Sequence, residues 1–220
     1  MTNPIRAVLF DLDGTLLDSA PDLVAALNRV RESEGLQPLN VEEMSTHVSH
    51  GAVGLLTAGM PAAESATFES WRGRFLAHYA ENLFCDSSLY DGVPELLDFL
   101  RVTGIPWGIV TNKSEALTWP IIEAAFVRHA VSCVVCGDTL KESKPDPAPV
   151  RLACKLLNVA PENTLFVGDD TRDLAAGMAA GTLTASVHYG YGSDDLDEHL
   201  VAGSSQIHHA SELIAVVKSH

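Results

Sequence analysis

From residue 86 onward the chain alternates between short apolar, β-branched runs and stretches whose apolar residues recur at helical spacing. The runs are IPWGIV (105–110), VSCVV (131–135), TLFVG (164–168) and LTASV (183–187), with QIHH (206–209) a weaker sixth, and Ile5 to Phe10 forms an earlier strand of the same kind. Helices are predicted between them around 94–101, 115–126, 147–158 and 172–180. Such alternation predicts an α/β fold, a parallel sheet covered by helices on both faces.

Residues 19–84 break this rhythm. Ser19 can cap a helix with Pro21 in its first turn; Leu23, Leu27 and Val30 form its apolar stripe, and Gly35 stops it. Asn40 with Glu43 marks a second start of capping-box type. Residues 61–83 read as a longer helix with Phe68, Trp71, Phe75 and Tyr79 on one side, a stripe of core-forming character. A single crossover needs far fewer residues than this. The chain is therefore expected to build its sheet from 1–18 and 85–220, with 19–84 as an inserted helical subdomain.

Composition narrows the class. The chain has 220 residues, 46% hydrophobic, and no apolar run reaches the roughly eighteen residues of a membrane span, so a soluble protein is expected. MTNPIRAVLF runs straight into a strand and has no targeting pattern, which points to the cytoplasm. The net charge is −15, and no stretch concentrates Lys or Arg, which argues against nucleic acid and anionic membranes as partners. A phosphate-bearing ligand would need a local positive site. Cys85, Cys133, Cys136 and Cys154 are expected to be reduced; Cys133 and Cys136 spell C-x-x-C, but in a strand pattern rather than at a helix start, so buried packing is expected of them rather than redox or metal chemistry. GYGSDD (190–195) reads as a flexible loop.

The candidate chemistry lies where strands end. Ligands of open parallel sheets bind at the strands' carboxyl ends. There the sequence places Asp11 and Asp13 after the first strand, Thr111 and Asn112 after WGIV, Lys144 in KESKPDP, and Asp169, Asp170 and Asp173 in FVGDDTRD. So many carboxylates beside one lysine call for a hard divalent cation. Mg²⁺ suits them best, with Asp11 and Asp169 as carboxylate ligands. Asp170 or Thr171 can also cap the following helix, and Asp18 suits a hinge or cap position.

DLDGT, a Thr after a hydrophobic strand, KPDP and GDDTRD, in that order, resemble the four motifs of the haloacid dehalogenase superfamily, in its phosphatase branch. The resemblance covers almost the whole chain and implies a Rossmann-like core with a helical cap. It also implies roles. Asp11 matches the nucleophile that forms an aspartyl-phosphate, and Asp13 the general acid and base whose backbone carbonyl also binds the metal. Gly14 supplies the turn that aims both carboxyls at one phosphate; Thr111 and Lys144 match the groups holding the phosphoryl oxygens, with Asn112 beside them. Asp169 matches the metal acid, and Asp173, with Asp170, an outer acid that orients a metal water or Lys144.

Asp13 is absent from the dehalogenases and transport ATPases of that superfamily, so the resemblance implies phosphomonoester hydrolysis, with a sugar phosphomutase as the enzymatic alternative. A non-catalytic module binding a phospho-ligand is the alternative of another class. The insertion matches the cap in position, and within it His47, His50 and Gly51, in STHVSHGAVG, are candidates to meet a polar leaving group. ACKLLNVAPENTLFVGDDTRDLAAGMAAG and HYGYG resemble phosphoglycolate phosphatases and their relatives acting on N-acetylmuramic acid 6-phosphate. Both substrates carry a carboxylate, and 19–84 contains no lysine to meet it. The expected substrate is a small phosphorylated metabolite, 2-phosphoglycolate in the first instance.

Overall fold

The computed structural model describes residues 4–220. In chain order the elements are β1 (Ala7–Phe10), β2 (Leu17–Asp18), α1 (Ala20–Ser33), α2 (Val41–Met44), α3 (Gly51–Gly59), α4 (Ser65–Ala80), β3 (Ser88–Leu89), α5 (Val93–Thr103), β4 (Trp107–Val110), α6 (Glu115–Ala125), β5 (Cys133–Val135), α7 (Ala148–Leu157), β6 (Thr164–Gly168), α8 (Thr171–Ala180), β7 (Leu183–Val187), α9 (Glu198–Ala202), β8 (Ser205–Ile207) and α10 (Glu212–Ser219). The chain divides into two compact units, one holding Leu89–His220 with the N-terminal segment up to Leu17, the other Asp18–Ser88.

The first unit is built on a six-stranded sheet in the order β5-β4-β1-β6-β7-β8, parallel at every pairing. This is the Rossmann order. From β1 the chain builds outward through β4 to β5, then returns to lay β6, β7 and β8 on the other side, so that the order reverses between β1 and β6. Strand β1 is central because all four of its residues can be buried at once, the pattern that a sheet covered on both faces demands. On one face Leu9, Val110, Val135 and Phe166 pack with Val150, Ala153 and Cys154 of α7 and Ala176 and Ala180 of α8. Phe10 meets Trp107 edge-on at 6.0 Å, and Trp107 meets Phe126 at 5.5 Å.

In the second unit, α1 packs against α4 and α3. Leu23, Leu27 and Val30 of α1 are buried, as are Trp71, Phe75 and Tyr79 of α4, with the last two rings stacked at 6.4 Å. The helix predicted over 61–83 forms only at Ser65–Ala80. Asn40 does cap α2, accepting from the Glu43 N–H at 2.8 Å, but that helix lasts one turn before a 3-10 segment, Ser45–His50. Helix α3, GAVGLLTAG, was not legible from its pattern: three glycines depress its intrinsic preference, and the buried Leu55 and Leu56 hold it by packing instead.

Cys133, Cys136 and Cys154 are free and buried, and Cys85 is free and exposed. Burial pushes the Cys133 thiol up to about 12 and raises Cys136 and Cys154 as well, the reverse of what a reactive thiolate needs. Among the described residues, no helix is long and apolar enough to cross a membrane.

Candidate active site

Strands β4, β1 and β6 lie side by side, and the residues that follow them are Thr111, Asp11 and Asp169. The Asp11 N–H donates to the Val167 carbonyl at 2.9 Å, which extends the β1–β6 pairing into the site, and the Thr111 N–H does the same toward Val135. Asp11, Asp169 and Asp173 converge: each presents an oxygen, and the three oxygens lie within 4.8 Å of one another.

Gly14 makes this possible. Its φ is +84°, and a Cβ there would fall 2.2 Å from Asp169 Oδ2. With no side chain, the turn after Asp13 passes directly over the Asp169 carboxyl. Thr15, fully buried, donates its hydroxyl to Asp169 Oδ1 at 2.9 Å. The Gly192 N–H donates to Asp169 Oδ2 at 3.0 Å, and the Tyr189 hydroxyl donates to the Thr15 carbonyl at 3.0 Å. Gly190 packs so closely that a Cβ would lie 2.2 Å from the Gly14 carbonyl oxygen and 2.3 Å from Asp169 Cβ. Gly190 and Gly192, in the stretch 190–195 expected to be a flexible loop, press on Asp169, with Tyr189 beside them, so these two glycines serve close approach. Neither Thr15 nor this segment was assigned a site role by sequence reasoning, although the Thr of DLDGT was in view.

Lys144 is enclosed. Its Nζ lies 2.8 Å from Asp11 Oδ1 and 2.7 Å from Asp173 Oδ1, and it donates to the Val110 carbonyl at 2.8 Å. Burial alone would drive off its proton, but Asp11 and Asp173 outweigh that and hold the ammonium above its usual range. Asn112 acts on the same residue through the backbone: its side-chain amide donates to the Lys144 carbonyl and its oxygen accepts from the Lys144 N–H, both at 3.0 Å. Thr111 Oγ1 accepts from the Lys113 N–H at 3.2 Å.

A second lysine belongs to the site, against the sequence expectation of one. Lys113 Nζ donates to Asp13 Oδ1 at 2.8 Å, with the lysine side chain only 9% exposed. The signal was present, two positions after Thr111, but lysines at such places are usually solvated. The Asp13 carboxyl thus pairs with Lys113, while Asp11 joins Asp169 and Asp173.

Asp170 and Asp173 open α8 with a capping box: Asp170 accepts from the Arg172 N–H at 2.8 Å, and Asp173 Oδ2 accepts from the Asp170 N–H at 3.2 Å. Arg172 also forks onto Asp170, with Nε to Oδ1 and Nη2 to Oδ2 both at 2.8 Å. Burial pushes Asp170 up, but these bonds from Arg172 bring its carboxyl below the ordinary value. Asp173 is pushed up to about 7, by burial first and by Asp11 and Asp170, with Lys144 opposing. Asp169 is raised well above the carboxylate range by burial and by the charges of Asp11 and Asp173; Gly192 and Thr15 only partly offset this. His47, half-buried, and His50, exposed, sit in the 3-10 segment of the second unit, and Gly51 follows with φ +62°.

Two observations bear on a metal. Asp11 Oδ1 is buried and near the Lys144 ammonium, yet it makes no hydrogen bond of acceptable direction. Burial, and with it the charge of Asp11, pushes the carboxyls of Asp169 and Asp173 toward protonation. An all-oxygen set short of positive charge fits a hard divalent cation.

Comparison with known proteins agrees with this geometry. A family model described as haloacid dehalogenase-like hydrolase matches residues 8–187. The N-acetylmuramic acid 6-phosphate phosphatase of Pseudomonas aeruginosa is 42% identical over 188 residues, covering 85% of this chain and 83% of that protein. That of Pseudomonas putida is 38% identical over 216 residues, covering 98% and 97%. The phosphoglycolate phosphatase of Chromobacterium violaceum is 40% identical over 192 residues, covering 85% and 86%. Among solved structures, a predicted phosphoglycolate phosphatase from Haemophilus somnus superposes with a TM-score of 0.83 at 28% identity, covering 96% and 97%. Strand order, site and relatives agree: the chain belongs to the haloacid dehalogenase-like hydrolases, in their phosphatase branch.

Proposed function

We propose that this protein hydrolyses a small, carboxylate-bearing phosphomonoester with Mg²⁺ as cofactor, through an aspartyl-phosphate on Asp11. The observation that carries the reading is the convergence of Asp11, Asp169 and Asp173 around the buried Lys144 ammonium. Asp11 and Asp169, with the Asp13 backbone carbonyl, would hold the ion; bound there, Mg²⁺ would neutralise charge between Asp11 and the phosphoryl oxygens.

The chain's own groups carry the remaining steps. Lys144 pairs with Asp11 and, with the Thr111 hydroxyl, faces the charge that spreads over the phosphoryl oxygens. An Asp11 oxygen bonds to phosphorus as the ester P–O bond breaks, and Asp13 gives its proton to the departing oxygen. Asp13 then takes a proton from the attacking water, the new P–O bond forms, and Asp11 leaves as a carboxylate with inorganic phosphate released. Asp173 fixes Lys144, Asp170 starts α8, Gly14 gives the turn its close approach, and Asn112 positions the Lys144 backbone. The inserted unit serves as a cap that excludes water and selects the leaving group, with His47, His50 and Gly51 as its contacts.

For the substrate, 2-phosphoglycolate is the first reading, supported by the relatives of that activity. N-acetylmuramic acid 6-phosphate is the second, favoured by relatives at 42% and 38% identity. The test is phosphate release with Mg²⁺ from p-nitrophenyl phosphate, 2-phosphoglycolate, N-acetylmuramic acid 6-phosphate and a sugar phosphate, run beside Asp11→Asn. The variant should lose at least about 10⁴-fold in kcat while keeping its melting temperature. Comparable turnover would overturn the covalent route; phosphate passed to a second hydroxyl would mean a mutase.

A further inference from the structure

The catalytic steps above leave Lys113 without a task. Its ammonium stands 2.8 Å from Asp13 Oδ1. If Asp13 serves the departing oxygen, that ammonium marks the leaving-group side of the phosphate. Lys144 Nζ, in turn, stands 2.8 Å from Asp11 Oδ1, 2.7 Å from Asp173 Oδ1 and 2.8 Å from the Val110 carbonyl, on the side of the attacking carboxylate.

We propose that Lys113 is a specificity-determining residue, whose ammonium binds a carboxylate carried on the leaving group next to the ester oxygen. The proposal rests on the phosphatase reading and deepens it by naming the substrate class, an α-carboxylated alkyl phosphate.

The distribution of positive charge supports this. The unit Asp18–Ser88 has no lysine, and each of its four arginines is engaged within that unit. Arg29 donates to Asn82, Arg31 to the carbonyls of Gln37 and Gly59, Arg72 to Glu69, and Arg74 to Ser33 and Glu34. In the first unit, Arg172 is forked onto Asp170. A carboxylate entering a site that already holds Asp11, Asp13, Asp169 and Asp173 needs a cation close to where it enters, in a molecule of net charge −15. In an α-carboxylated alkyl phosphate the carboxylate carbon is two bonds from the ester oxygen. The ammonium that lies against the acid serving that oxygen is therefore within its reach. Lys113 is also only 9% exposed, so a bond to it is weakly screened.

The experiment compares two esters that differ only in this group, 2-phosphoglycolate and 2-hydroxyethyl phosphate, on the wild type, Lys113→Met and Lys113→Arg with Mg²⁺. If Lys113 reads the carboxylate, Lys113→Met lowers kcat/KM for 2-phosphoglycolate at least about 30-fold further than for 2-hydroxyethyl phosphate, mainly through KM. Lys113→Arg should recover part of that loss for the carboxylated ester alone. Equal losses on both esters would reduce Lys113 to an orienting partner of Asp13 and overturn the proposal. So would a wild type with no preference between them. Silence of the wild type toward every ester, p-nitrophenyl phosphate included, would instead overturn the phosphatase reading. The Lys113 proposal is then decided by calorimetric binding of 2-phosphoglycolate to Asp11→Asn with and without Lys113→Met, where an unchanged Kd overturns it.

Discussion

Asp22 in the inserted unit and Asp169 in the sheet unit are both buried aspartates, 4% and 1% exposed, and they solve opposite problems. Asp22 lies in the first turn of α1 and accepts from the N–H groups of Cys85, Asp86 and Ser87 at 3.0, 2.8 and 3.3 Å, and from the Ser87 hydroxyl. It ties the two ends of its unit together, and each of these partners meets it through an N–H or a hydroxyl. Asp169 receives one hydroxyl and one N–H, and has Asp11 and Asp173 as neighbours. Burial alone therefore does not mark a functional carboxylate. A carboxylate whose lone pairs are filled by donors is structural, whereas one short of donors and crowded by like charge is waiting for a cation.

Removing each carboxylate sharpens the contrast. Asp169→Ala should weaken Mg²⁺ binding, measured by calorimetry, at least about 100-fold, an effect beyond that of typical outer-shell changes; unchanged binding would place the ion elsewhere. Asp22→Ala should leave Mg²⁺ affinity alone and cost about 2–4 kcal/mol of stability by orphaning its buried donors, a fall of roughly 5–12 °C in Tm.

The pH dependence separates them further. Asp173 is raised from 3.8 to about 7 in the fold, so its neutral form favours the folded state. That contribution is complete below the unfolded value and is lost as pH rises through about 7. With metal removed by EDTA, wild-type stability should fall between pH 4.5 and 7.5 relative to Asp173→Asn, by about 1–2 kcal/mol given the opposing pull of Lys144. Urea denaturation across that range checks it, and parallel curves would refute it. The smallest effect is expected from Tyr189→Phe, which removes one hydrogen bond to the Thr15 carbonyl: about 1 kcal/mol, read as a several-fold weaker Kd for Mg²⁺.

The same contrast explains what the sequence could reveal. Strands β6 and β7 stand where their patterns predict them, because buried parallel strands write continuous apolar runs; β4 and β5 are shorter than predicted because apolar residues before them, Ile105 and Val131, lie outside the ladder. Asp11, Thr111, Lys144 and Asp169 were legible as strand-end residues. Lys113 was not, since only the fold turns it toward Asp13, and neither was Asp22, whose donors lie more than sixty positions away. Gly190 and Gly192 misled for a physical reason: composition cannot distinguish a glycine chosen for freedom from one chosen because nothing larger fits. The short α9 and α10 were missed because helices of five and eight residues show too few turns for a period to stand out.

The interlock of Gly14, Asp169 and Gly190 also bears on the order in which the enzyme is completed during synthesis. Asp11 and Asp169 both precede β7 in the chain, yet the backbone that presses on Asp169 comes only after it. A ribosome-bound chain that has just finished α8 holds every acid of the site but not the clamp that aims one of them, so competence waits for the segment after β7.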